Sequence, residues 1–219
     1  LADSDTAPRV LLMNPNSNAD TTRVMCAIAG RVLPRVSGWT APAGPPLLTT
    51  PEALAKAAEH VADADVGPEF AGVIVSAFGD PGREALAARL RVPVVGIGAA
   101  AARAAGHGGR AFAVVTHTPA LETSIDRLMN NSGAQGRYIG TYLAAGDPVA
   151  LSADPEKLDA ALLCAAKLAH RDGAEAVIVG GGPLGEAADR LTDHAPCILI
   201  SPILLAAVEM RAKLRLPSV

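Results

Sequence analysis

The chain has 219 residues, a formal net charge of −3, and a composition that is 50% hydrophobic but only 3% aromatic. That length fits one large domain or two small ones. The mixed, near-neutral charge argues against nucleic acid or an acidic membrane surface as partner. Three cysteines, with no close pair among them, argue against a disulfide framework or a CxxC site and favour a reducing cytoplasm. No apolar run approaches the roughly 18 residues of a membrane span. No charged segment followed by an apolar stretch opens the sequence, so no signal peptide is expected.

Val10-Leu11-Leu12-Met13 predicts a short strand that runs into the turn-rich loop Asn14-Pro15-Asn16-Ser17-Asn18. Asp20 or a nearby Asn can cap a helix carrying Val24, Ile28 and Val32 on one face. Gly38 to Pro46 marks a loop around a short strand. Thr50-Pro51-Glu52 is a helix start, with a hydroxyl cap, Pro at the first helical position and an acid near the positive dipole end. That helix is expected to run towards Val66. Gly72 to Val75 reads as a buried strand ending in the turn chemistry of Phe78-Gly79-Asp80-Pro81-Gly82. A helix with Leu86 and Leu90 follows, then a strand over Pro93–Ile97 and a short helix from Ala99 to Ala105, closed by Gly106.

After the connector His107-Gly108-Gly109 the pattern begins again. Ala111–Val115 is a strand, and Thr118-Pro119 repeats the cap-plus-Pro helix start, followed by Leu121, Ile125, Leu128 and Met129 at helical spacing. Arg137–Tyr142 is a strand, Asp154-Pro155-Glu156 starts another capped helix, and Ala176–Val179 and Cys197–Ile200 are strands. A last helix spans about Ile203 to Leu214. Strands alternate with helices throughout, so the fold class is parallel α/β. The two halves match: VIVSAFG and VIVGGGP both follow a capped helix, end a strand in a small-residue turn, and lie half a chain apart. Two such lobes face to face place both turns at one cleft.

Several residues near these strand ends are candidates for chemistry. Asn14, Asn16 and Ser17 can offer amides and a hydroxyl to a carboxylate or polarised carbonyl; a self-bonded turn is the bland alternative. Backbone N–H groups around Ala77, Phe78 and Gly79 can form an oxyanion hole, with Ser76 as a hydrogen-bonding group and Asp80 as a base or a turn former. His117 lies just past a strand end beside Thr116, where a general acid or base would sit. His60, His107, His170 and His194 read as structural or solvated. Gly180, Gly181 and Gly182, followed by Pro183, permit close approach of a ligand to the backbone but lack a dinucleotide fingerprint. Cys26, Cys164 and Cys197 read as core residues. No histidine pair has metal-ligand spacing, so no metal is expected.

LLMNPNSN, AFGDPG, VPVVGIGAAA, FAVVT and AEAVIVGGGPLG together resemble the aspartate/glutamate/hydantoin racemase superfamily, most closely its hydantoin and allantoin racemase branch. The likeness covers nearly the whole chain, in order. It implies two pseudosymmetric Rossmann-like lobes with parallel sheets and an active-site cleft between them. The first lobe would be residues 1–105, completed by the C-terminal helix 203–219, and the second 106–202. The family's usual mechanism uses two cysteines, one from each lobe, as acid and base on opposite faces of the substrate carbon. The matching positions here are Ala77 and Gly181, and neither can titrate. The resemblance therefore implies a cofactor-independent enzyme acting beside a carbonyl of a small hydantoin-like, amino-acid-like or carboxylate substrate, without the two-thiol mechanism. Two other readings stand beside it. One is a lyase, decarboxylase or hydrolase using His117 in the same cleft. The other is a non-catalytic binding protein or an inactivated racemase variant. The expected partner is a small molecule; a homo-oligomer of unspecified size is compatible with the sequence.

Overall fold

The computed structural model describes residues 7–217 of the chain. In chain order the first half contains β1 (Arg9–Asn14), α1 (Ala19–Gly30), β2 (Arg35–Thr40), α2 (Pro51–Asp63), β3 (Phe70–Val75), α3 (Arg83–Arg89), β4 (Val94–Gly96) and α4 (Ile97–Ala105). The second contains β5 (Phe112–Thr116), α5 (Glu122–Asn130), β6 (Tyr138–Leu143), α6 (Pro148–Ser152), α7 (Pro155–Arg171), β7 (Ala176–Val179), α8 (Gly185–Leu191), β8 (Ile198–Ile200) and α9 (Pro202–Lys213).

The strands form two four-stranded sheets, ordered β2-β1-β3-β4 and β6-β5-β7-β8, and every pairing is parallel. The two orders are the same order, half a chain apart. In each sheet the chain reverses its winding direction after the first strand. The crevice between β1 and β3, and that between β5 and β7, is therefore a topological switch point, where α/β sheets bind ligands.

Each sheet is covered on both faces, as parallel sheets require. Val10, Leu12 and Ile74 point to a layer with Met25, Ile28 and Ala29 of α1. Their alternates Leu11, Met13, Val73 and Val75 meet Val61 of α2 and Leu86 of α3. The second sheet repeats this arrangement. Ala113, Val115, Val177 and Val179 pack on α7 and α8, while Phe112, Val114 and Ile178 face α4 and α5.

Two helices join the halves. Ala101, Ala102 and Ala105 of α4 pack in the cluster under the second sheet. Conversely, Ile203, Ala206, Ala207 and Met210 of α9 pack under the first. A Cβ on Gly72 of β3 would stand 2.5 Å from the Met210 sulfur, so the glycine admits α9 to the sheet.

Local capping follows the sequence in most places. Thr50 Oγ1 accepts from Ala53 N at 3.2 Å and Asp154 Oδ1 from Lys157 N at 3.2 Å. Asn18, rather than Asp20, caps α1 by accepting from the amides of Asp20 and Thr21. The helix face read as Val24, Ile28 and Val32 is rotated: Thr22, Met25, Ile28 and Ala29 are its buried residues. Thr118 makes no capping bond, because a 3-10 turn over Pro119–Leu121 separates it from α5. Ile97 opens α4 instead of closing β4. Helix α6, capped by Asp147, was not expected from the sequence.

Candidate active site

The ends of β1, β3, β5 and β7 converge between the lobes on a cavity of about 40 Å³. It is lined by Asn16 from the β1 end; Ser76, Ala77 and Phe78 from the β3 end; His117 and Thr118 from the β5 end; and Gly180, Gly181 and Gly182 from the β7 end. Leu47, Leu48, Leu121 and Ile125 close it with apolar side chains.

The β1 end is largely self-satisfied. Asn14 is fully buried, and its Nδ2 lies 2.8 Å from Asn16 Oδ1, 2.9 Å from Asn18 O and 3.0 Å from Thr22 Oγ1. Its Oδ1 accepts from the Asn16 amide. Asn14 therefore holds the loop and does not line the cavity. Asn16 uses its Oδ1 for Asn14 and for the Asn18 amide, which leaves its NH2 group as the donor at the cavity. Ser17 is exposed, and its hydroxyl donates to Gly44 O. It does not reach the cleft.

At the β3 end, Ser76 lines the cavity but its hydroxyl donates to Met13 O at 2.6 Å. That proton holds β3 to β1. Phe78 crosses the cleft and packs in the second lobe's cluster with Val114, Leu121 and Ile125. Gly79 has φ +124 and faces Leu54 of α2 rather than the cavity, so its role is to turn the chain.

Asp80, expected as a base, is placed elsewhere. Its carboxylate is buried and accepts from Gly98 N at 2.7 Å and Ala99 N at 2.8 Å, which caps the start of α4. Burial raises its pKa from the ordinary 3.8 to about 6, against the opposing pull of those two amides. Asp80 has φ +50, which Asp tolerates better than most residues. It locks the turn that carries Ala77 and Phe78 onto α4.

At the β5 end, Thr116 and Thr118 share a hydroxyl contact at 3.0 Å, and only Thr118 borders the cavity. His117 is 2% exposed. Its Nε2 lies 2.9 Å from Ser152 Oγ, and its Nδ1 is buried with no partner. Burial holds its pKa below the usual 6.5, so the ring is neutral at neutral pH. An unpaired buried ring nitrogen is costly in a finished core and expected in a site awaiting a substrate.

The triple glycine at the β7 end lets the lobes meet. A Cβ on Gly182 would stand 2.7 Å from the Ser76 carbonyl oxygen across the cleft, and one on Gly180 would stand 3.0 Å from the Phe78 ring. Gly181 is extended, with φ 166, and only Leu184 crowds its Cβ direction. Pro183 continues the 3-10 turn Gly182–Leu184; its side chain lies outside the described groups.

The amides of Ala77, Phe78, Gly181 and Gly182 find no acceptor among the described residues. Four residues with unpaired backbone amides, two from each lobe, thus line the cavity together with Asn16. Such donors stabilise a carbonyl oxygen as it gains negative charge.

None of the three cysteines lines the cavity. Cys26 and Cys197 are half-buried, and burial raises both thiol pKa values. Cys164, expected in the core, is exposed on α7, because the buried face of that helix runs through Leu158, Leu162, Ala165 and Ala169. Among the described residues no cluster of three metal-binding side chains occurs, and no helix is long and apolar enough to cross a membrane.

The sequence reading missed the apolar wall and Ser152. The pair Leu47-Leu48 in a loop otherwise made of Pro, Gly, Ala and Thr was the available signal for the wall. Nothing local marks Ser152, which reaches His117 across 35 residues of chain.

Residues 10–210 match the model of the Asp/Glu/Hydantoin racemase family. The hydantoin racemase of Paenarthrobacter aurescens is 28% identical over 203 residues, covering 89% of this chain and 86% of that protein. The crystal structure of allantoin racemase from Pseudomonas fluorescens superimposes with a TM-score of 0.87 at 27% identity, covering 96% of this chain and 93% of that one. Allantoin racemase from Klebsiella pneumoniae gives a TM-score of 0.80 at 25% identity, covering 97% and 91%. With a family match over most of its length and the same paired sheets, the chain belongs to the Asp/Glu/hydantoin racemase family.

Proposed function

We propose that the protein removes and returns a proton at a carbon next to a carbonyl, in a small hydantoin-like or carboxylate substrate, with His117 as the base. The observation that carries this reading is the unpaired Nδ1 of a buried, neutral His117 at the interlobe cavity. The family match and the hydantoin and allantoin racemases among its relatives support the substrate class.

In this reading Nδ1 takes the proton, and the C–H electron pair moves onto the carbonyl oxygen as an enolate. The amides of Ala77 and Phe78, or of Gly181 and Gly182, donate to that oxygen. Two cradles suit a substrate with two carbonyl groups. Neither Ala77 nor Gly181 can carry a proton, so inversion requires a solvent proton on the face away from His117. The reaction calls for no cofactor. A weakly acidic C–H flanked by carbonyl and nitrogen is within reach of one positioned base and an oxyanion hole.

The test is exchange of the substrate α-proton in D2O, followed by NMR, with 5-methylhydantoin, allantoin and the common amino acids. Exchange that His117→Gln removes, with deuterium in every inverted molecule, supports the reading. Absence of exchange with all of these compounds, or unchanged exchange in His117→Gln, overturns it.

A further inference from the structure

Helix α6 lies outside the sheet ends that build the cavity, yet it makes the one hydrogen bond of the His117 side chain among the described residues. The hydroxyl of Ser152 has one proton and two lone pairs. Its Oγ lies 2.8 Å from Pro148 O, one turn back on the same helix. A carbonyl has no proton to offer, so Ser152 is the donor in that contact. Its oxygen is then the acceptor towards His117, and the 2.9 Å approach of Nε2 requires the proton to sit on Nε2. A neutral imidazole carries a single ring N–H. Nδ1 is therefore the bare lone pair, and it is the buried nitrogen without a partner.

The geometry points to Ser152 as a positioning residue, which fixes the orientation and tautomer of His117 so that the Nδ1 lone pair stays bare in a residue that lines the interlobe cavity. Ser152 does not touch the cavity itself. It is held in place from three sides. Asp147 caps α6 by accepting from Ala150 N at 2.9 Å. Leu151 is buried in the same apolar cluster as Ala113 and Val115 of the second lobe. The Pro148 carbonyl fixes the hydroxyl. The inference rests on the proposed role of His117 for its consequence in turnover, but the tautomer can be read without any substrate.

Side-chain 15N spectra of the uniformly labelled full chain, with His117 assigned by its disappearance in His117→Gln, provide that reading. The wild type should show a protonated Nε2 and an unprotonated Nδ1. Ser152→Ala should lose the downfield shift of the bonded Nε2 proton. It should also slow α-proton exchange of 5-methylhydantoin about tenfold with little change in KM, the rate equivalent of one hydrogen bond. Ser152→Thr, which keeps the hydroxyl, should restore both signals. A proton found on Nδ1 in the wild type overturns the inference, as does exchange in Ser152→Ala within twofold of wild type. If the wild type exchanges no substrate proton, the reaction proposed for His117 fails, while the 15N spectra still decide the role of Ser152.

Discussion

The loops after β1 and β5 occupy matching positions in the two lobes and have been put to opposite uses. After β1, Asn14-Pro15-Asn16 closes on itself: Asn14 bonds within its own loop and to Thr22, and only the Asn16 NH2 is left over. After β5, Thr116-His117-Thr118 leaves a ring nitrogen with nothing to bond. One turn is complete without a ligand and the other is not. The difference assigns structural duty to the β1 loop, whereas the β5 loop keeps a buried nitrogen to spare, although the strand order around them is the same.

Substitutions should separate the two duties. The largest effect is expected at His117. His117→Gln should cut α-proton exchange by on the order of 10²- to 10⁴-fold, the usual contribution of a general base, while the unfolding midpoint stays within a few degrees. A loss of stability as large as the loss of rate would collapse the contrast between the two loops. Asn14→Ala should do the reverse. It strips four contacts from a buried loop, so urea titration should show a loss of about 2–4 kcal/mol, with exchange per folded molecule nearly unchanged.

A smaller effect, about 1–3 kcal/mol of stability, is expected for Gly182→Ala, whose methyl would press on the Ser76 carbonyl across the cleft. Gly181→Ala should cost less, since its backbone is extended and only the Leu184 side chain must shift. Equal costs would mean that the lobes do not meet as tightly as the 2.7 Å approach indicates.

The remaining two expectations are pH dependences. His117 titrates below its ordinary 6.5, so kcat/KM should rise with pH through a midpoint below 6.5. A rise centred above 6.5 would be incompatible with the buried ring. Asp80 has a folded pKa of about 6, above its ordinary 3.8. Its titration therefore favours the folded state below about 4, and that contribution is lost as pH rises through about 6. Comparing the unfolding midpoint of Asp80→Asn with wild type across this window should reveal the missing slope. Asn is the informative choice because it keeps one acceptor for α4 and tolerates positive φ.

Much of this architecture was legible in the sequence. The β-branched runs at residues 73–75 and 177–179 announced buried strands, and their half-chain spacing announced the duplication. Cap-plus-Pro starts at Thr50 and Asp154 were read correctly because their chemistry is local. The same signal misled at Thr118, where a 3-10 turn intervenes and the hydroxyl pairs with Thr116 instead. Asp80 shows the limit of such reading. An Asp in a turn looks the same in sequence whether it faces a substrate or caps a helix 18 residues away, and only packing decides. The Ser152 contact was illegible for a related reason, since nothing near position 152 records the approach of a strand end 35 residues earlier.

The Phe78 ring, seated in the opposite lobe, bears on timing. With that ring in place the enclosed space of about 40 Å³ is far below the roughly 300 Å³ or more of ordinary small-molecule sites. If a hydantoin-sized molecule is the substrate, its entry would require the Phe78 ring to move, so association would be slower than diffusion and sensitive to solvent viscosity.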